Sequence, residues 1–151
     1  MHIHRTTAVL VALLIAGAVS AGDSLWGTAT AVPRADVVIL NYGEGQYEIR
    51  IAGIAVPEQG PIAERARAFV SGLVLNKHVR MRFEYRDRNG QMIARLFTDD
   101  PDLGIRDVAI ELVRAGLARR DREQAIYKYG ELEAAEAEAQ KARRGLWAGT
   151  Q

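Results

Sequence analysis

The chain of 151 residues is 48% hydrophobic and 26% charged, which is sufficient apolar material for one globular core and too little for two. It contains no cysteine, so disulfides, cysteine catalysis and thiolate metal sites are excluded. Lysine and arginine number 20 against 19 aspartates and glutamates. This balance argues against a protein that coats nucleic acid through its net charge alone.

Residues 1–21 have the composition of a secretory signal peptide. Arg5 precedes an apolar run from Ala8 to Ala18, and Val19-Ser20-Ala21 ends in small residues that suit a signal peptidase. The run is shorter than the roughly 20 residues that cross a bilayer. We expect cleavage near Ala21, with Ala31 as the alternative, and a secreted or periplasmic protein with no remaining membrane span. Cleavage removes Arg5 and no acid, which leaves 19 basic and 19 acidic residues.

Few reactive side chains remain after residue 21. The one histidine is His78, and the two serines are Ser24 and Ser71. A serine-histidine-aspartate triad would depend on His78, which lies far from both serines in sequence. A zinc site made of imidazole and thiolate lacks its ligands. Carboxylate chemistry remains, with or without a hard cation such as calcium.

Strand and helix patterns follow one another along the rest of the chain. Residues 22–34 show no period and are expected to form a flexible lead-in, with late joining of a sheet as the alternative. Val37–Leu40 and Tyr47–Ile51 predict a hairpin around a glycine-rich turn, with Arg50 on the face opposite Ile49 and Ile51. A second hairpin is predicted around Asn89-Gly90. Helical spacing and end signals predict three helices, at residues 61–75, 107–115 and 129–143.

The segment IRIAGIAVPE, residues 49–58, resembles the active-site strand of the staphylococcal nuclease (thermonuclease) family. Three further segments, beginning at Arg65, Glu111 and Glu136, are similar to later blocks of the same family, in the same order. The resemblance implies an α+β fold, an OB-type five-stranded antiparallel barrel with three helices, formed by residues 35–151. We expect this domain to be a monomer.

The resemblance also implies roles for particular residues. Active members of the family hold one Ca²⁺ with two aspartates and a backbone carbonyl, activate a water with a glutamate, and hold the phosphodiester with two arginines. Arg50 matches the first arginine and Glu58 the glutamate. Asp36, which lies 14 residues before Arg50, matches the first aspartate; a solvated aspartate at the start of a strand is the alternative.

Two positions depart from the family pattern. Ala55 stands where the second aspartate is expected, and losing a carboxylate weakens calcium binding because the affinity follows the number of charged ligands. Gln91 stands where the second arginine is expected. A neutral amide cannot neutralise developing charge, and losing such a donor costs about 10²–10³ in rate. Arg88 is either a substitute phosphate contact or a solvated turn residue.

With the predicted signal peptide, these departures predict an exported, non-catalytic binding module. Its ligand is single-stranded nucleic acid, another phosphate-bearing molecule or a protein. The alternative is a divergent Ca²⁺-dependent phosphodiesterase acting on single-stranded DNA or RNA, with Glu58 as base, Arg50 as phosphate contact and Asp36 as metal ligand. Calcium is the expected cofactor only in that case. A purely structural or interaction role in the cell envelope is the third hypothesis.

Overall fold

The computed structural model describes residues 20–124 and 130–149, so the predicted signal peptide lies almost entirely outside the described residues. The strands are β1 (Ser24–Arg34), β2 (Val37–Tyr42), β3 (Gly45–Ile51), β4 (Ile54–Ala55), β5 (His78–Arg86), β6 (Met92–Asp100), β7 (Gly104–Asp107) and β8 (Arg119–Arg120). The helices are α1 (Pro61–Val74), α2 (Val108–Arg114) and α3 (Gly130–Lys141), and a 3₁₀ turn covers Gly145–Trp147.

Five strands form a closed barrel. β1 lies between β2 and β5, β2 pairs with β3, and β5 pairs with β6, all antiparallel. β3 and β6 close the barrel in parallel, with Arg50 opposite Ile93. One parallel pair is unavoidable, because five strands cannot alternate in direction around a closed ring. The α+β, OB-type barrel with three helices is therefore confirmed, and β7 extends the sheet beyond β6.

The core fills the barrel and the space beneath the helices. β5 shows the alternation that a strand with one buried face requires: Val79, Met81 and Phe83 are buried. α1 covers one side of the barrel with Ala66 and Val70. The predicted helices are confirmed, although Tyr129, the expected start of α3, lies outside the described residues. No helix in the described part of the chain is both long enough and apolar enough to traverse a bilayer.

The predicted flexible lead-in is wrong for most of its length. Residues 24–34 form β1, the strand that joins the two hairpins, so the barrel begins well before residue 35. Its buried positions include Gly27 and Ala29, which are too small to give an apolar alternation. A Cβ at Gly27 would meet the Asn41 carbonyl oxygen at 2.8 Å, so close strand approach explains the small residue.

Candidate functional site

Asp36 lies at the centre of an arginine cluster. It is in the turn between β1 and β2, and its side chain is 7% exposed. Arg34 Nε donates to Oδ1 at 3.0 Å and Arg34 Nη2 donates to Oδ2 at 2.7 Å. Arg50 Nε lies 3.5 Å from the same Oδ2. The turn is held beside β3 because the Ile51 amide donates to the Asp36 carbonyl at 2.8 Å.

Arg50 lies on β3 between Asp36 and Tyr85. Its side chain is 35% exposed, and its buried Nε has no hydrogen-bond partner among the described residues. Burial raises the pKa of the Tyr85 hydroxyl, and the positive charge of Arg50 partly offsets that rise. The charge of Arg50 therefore acts on both of its neighbours.

Glu58 shares a cleft with Asp36. The cleft has a volume of about 280 Å³, and Arg34 and Arg67 also line it. Arg67, on α1, donates from Nε to the Val32 carbonyl at 2.9 Å. Hydrogen bonding to Asp36, then the charge of Asp36, raises the pKa of Arg34, and the charge of Glu58 adds a smaller effect. Arg50 is not among the residues that line this cleft.

Ala55 has a methyl side chain and no carboxylate to offer to a metal ion. It is exposed in β4 and pairs with Arg119 of β8. Among the described residues, no three histidine, cysteine, aspartate or glutamate side chains lie together as metal ligands do. Calcium takes six to eight oxygens, and both oxygens of Asp36 already accept from Arg34. The donors in this arrangement do not fit a calcium ion.

Gln91 lines a different cleft, and Arg88 lies in the turn before it. Gln91 Nε2 donates to Glu48 Oε1 at 2.7 Å, and both residues line a second cleft of about 460 Å³. Arg88 is exposed in the preceding turn. Neither residue is among those that line the cleft of Asp36 and Glu58. The structure thus brings Asp36 together with Arg50 on one side and with Glu58 on the other, and places Gln91 and Arg88 outside the cleft of Asp36 and Glu58.

The sequence reasoning missed two basic residues of the site, Arg34 and Arg67. Arg34 could have been found, because Asp36 is only two residues later in sequence and the long arginine side chain reaches it across the turn. The interpretation of residues 22–34 as a lead-in concealed that relation. Arg67 carries no such signal, since its position on α1 is one of several exposed ones.

Comparisons with known proteins agree with this fold. Residues 48–149 match the family described as staphylococcal nuclease homologue. A relative named probable endonuclease LCL3 from Verticillium alfalfae is 30% identical over 133 residues, which are 81% of this chain and 45% of that protein. The protein of the same name from Podospora anserina is 29% identical over 137 residues, covering 81% of this chain and 48% of that protein.

A third relative, the probable endonuclease LCL3 of Leptosphaeria maculans, is 30% identical over 114 residues, which are 68% of this chain and 38% of that protein. The chain thus spans about half the length, or less, of the curated relatives that it matches. The family match covers most of the chain and includes Arg50, Glu58 and all three helices. It begins after Arg34 and Asp36 in the chain. The chain belongs to the staphylococcal nuclease family.

Proposed function

We propose that this protein is a non-catalytic module of the nuclease family that binds the phosphate backbone of single-stranded nucleic acid. The observation that carries the proposal is the convergence of Arg34 and Arg50 on one buried carboxylate, Asp36. Two guanidinium groups against one carboxylate give this cluster a net positive charge, while Glu58 and Glu64 add negative charge in the neighbouring cleft. Arginine forks match phosphate geometry, and family membership makes nucleic acid the first ligand class to test.

The residues at two positions of the family pattern argue against hydrolysis. Cleavage of a phosphodiester needs groups that stabilise the charge developing at the reacting phosphorus. Two such groups of the family pattern are absent from this chain, because Ala55 stands for the second aspartate and Gln91 for the second arginine. Gln91 is engaged with Glu48, away from the Asp36 cleft. We therefore expect binding without cleavage. Export through residues 1–21 is part of the same proposal and rests on their composition alone.

Binding is measured by fluorescence anisotropy with labelled 12-nucleotide DNA and RNA and the purified protein. Affinity for a single strand falls with salt at a slope of about −0.7 per phosphate contact, so two arginine contacts predict a slope of about −1.4. Arg50→Gln should weaken binding about tenfold and reduce that slope by about 0.7. Arg82→Gln, an exposed arginine on β5 away from the cluster, is the matched control and should change neither.

A gel assay of the same oligonucleotides, with Ca²⁺ and then with EDTA, tests for cleavage. One observation favours the alternative, a divergent phosphodiesterase: Glu58 and Asp36 line one cleft. Cleavage that is lost in EDTA and in Glu58→Gln would establish that alternative and refute the non-catalytic role. An absence of both binding and cleavage would favour the structural or interaction role.

A further inference from the structure

Arg34 occupies the carboxylate that the family resemblance assigns to the metal. Its Nε and Nη2 atoms donate one hydrogen bond to each oxygen of Asp36, at 3.0 and 2.7 Å. This is the bidentate geometry in which a guanidinium and a carboxylate bind most strongly. A calcium ion could take either oxygen only by breaking that pair.

The positive charge beside Asp36 comes from arginine side chains, whereas in a metal site it comes from a bound ion. Asp36 is buried, so its negative charge is screened little by water and holds both arginines in place. Arg34 remains 58% exposed, and the hydrogen bonds to Asp36 use its Nε and Nη2 atoms, which leaves Nη1 for a ligand. The guanidinium therefore acts as a cation that is covalently part of the chain and always charged.

Arg67 adds a second cation to the cleft. Its Nε is fixed to the Val32 carbonyl, and both Arg67 and Arg34 line the same volume of about 280 Å³. That volume is just below the roughly 300–1,000 Å³ of pockets for drug-sized ligands. It suits a phosphodiester with an adjoining sugar. Three carboxylates, those of Asp36, Glu58 and Glu64, also line the cleft, so its two arginines give it no excess of positive charge. The phosphate contact therefore depends on the guanidinium donors themselves and not on the total charge of the cleft.

We propose that the Arg34 guanidinium replaces the divalent cation in this protein, so that its cleft binds a nucleic-acid phosphate without any metal. The inference rests on the proposed function, because it names the second phosphate contact of that binding site. It assigns to Arg34 the positive charge that the metal ion supplies in the family pattern, and it leaves the position of Gln91 without a cation. Binding is then insensitive to chelators and to calcium.

The test measures anisotropy of a labelled oligothymidylate with the purified protein, first in EDTA and then with millimolar Ca²⁺. The two dissociation constants should agree within about twofold. Arg34→Gln should weaken binding at least tenfold in EDTA. Arg65→Gln is the matched control, since Arg65 is an exposed arginine on α1 that lines a different cleft. Circular dichroism of each variant checks that the barrel has folded.

Calorimetry with Ca²⁺ alone provides a readout without nucleic acid. The unmodified protein should give no binding heat, whereas Arg34→Ala combined with Ala55→Asp should gain calcium binding. Arg34→Lys, which keeps the charge and loses the fork, is less disruptive and should retain metal-independent binding at reduced affinity.

Some results would overturn the inference and leave the proposed function standing. These are oligonucleotide binding that requires Ca²⁺, calcium binding by the unmodified protein, or an Arg34→Gln variant that binds as well as Arg65→Gln does. If the unmodified protein binds no oligonucleotide under either condition, the proposed function falls, and this inference falls with it.

Discussion

Asp107 uses its two carboxylate oxygens for two different structural tasks. Oδ1 accepts from the backbone amides of Ala109 and Ile110, at 2.9 and 3.3 Å, and so caps α2. Oδ2 accepts from Arg95 of β6, at 2.9 and 2.5 Å. One side chain at the end of β7 therefore fixes both the start of the helix and its attachment to the barrel.

Replacing Asp107 separates these two tasks. Asp107→Asn keeps an amide oxygen for the cap and weakens the Arg95 pair, so it should cost about 1 kcal/mol. Asp107→Ala removes both and should cost about 2–3 kcal/mol. Urea denaturation followed by circular dichroism measures the free energies of unfolding. Asp102→Ala, at an exposed turn residue, should stay within about 0.5 kcal/mol. Equal losses for the two Asp107 variants would show that the cap contributes nothing.

Removing the carboxylate of Asp36 should destabilise the protein. Asp36→Asn leaves the half-buried Arg50 and its neighbour Arg34 without their shared anion. Breaking a fully buried pair costs about 3–5 kcal/mol, but Arg34 is more than half exposed, so we expect about 2 kcal/mol. Asp99→Asn, at an exposed position of β6, is the control for urea denaturation. An Asp36 variant as stable as that control would mean that the arginines are held by other contacts.

Two glycines should respond to alanine in opposite directions. Gly116 follows α2 with a φ of 71°, and a Cβ there would fall against the Arg144 carbonyl oxygen. Gly116→Ala should therefore cost more than about 2 kcal/mol. Gly72 lies exposed within α1, where an added Cβ would meet no atom within 4 Å. Gly72→Ala should stabilise the protein by about 0.5–1 kcal/mol. Thermal unfolding compares both with the unmodified chain, and a shift of the same sign in both would contradict this account.

Tyr85 reports on the position of Arg50 through its pKa. Burial favours the neutral phenol and raises the pKa, while the positive charge of Arg50 favours the phenolate and lowers it. Arg50→Gln should raise the Tyr85 pKa further, and Arg82→Gln should leave it unchanged. The titration is followed by ¹³C NMR of labelled tyrosine rings, with Tyr85→Phe assigning the resonance.

The raised pKa of Tyr85 makes the stability of the folded protein depend on pH. The folded protein holds the Tyr85 proton more tightly than the unfolded chain does, so this contribution to stability is fully present below the unfolded pKa of about 10. It is lost as the pH rises through the raised pKa of the folded state. If the Tyr85 pKa fell in the Arg50→Gln variant, the Arg50 guanidinium could not be lowering that pKa in the unmodified protein.

Much of the fold could be predicted because local chemistry determines it. The alternation of apolar and charged residues predicted β5, and the helical spacing of apolar residues predicted α1. Asp107 and Gly116 predicted the two ends of α2. β1 was missed because its buried Gly27 and Ala29 are small, and at Gly27 the reason is close contact with the neighbouring strand. Such contact is a property of the assembled barrel.

The sequence alone determined the family resemblance and the absence of cysteine, and it predicts the loss of two charged groups at Ala55 and Gln91. Only the tertiary structure decided what surrounds Asp36. The β1–β2 turn folds back beside β3, and this brings Arg34 and Arg50 to one buried carboxylate although 16 residues separate them in sequence. The sequence specifies the type of each side chain. The interaction between charges depends on the distance between them, and that distance is set only when the strands pair.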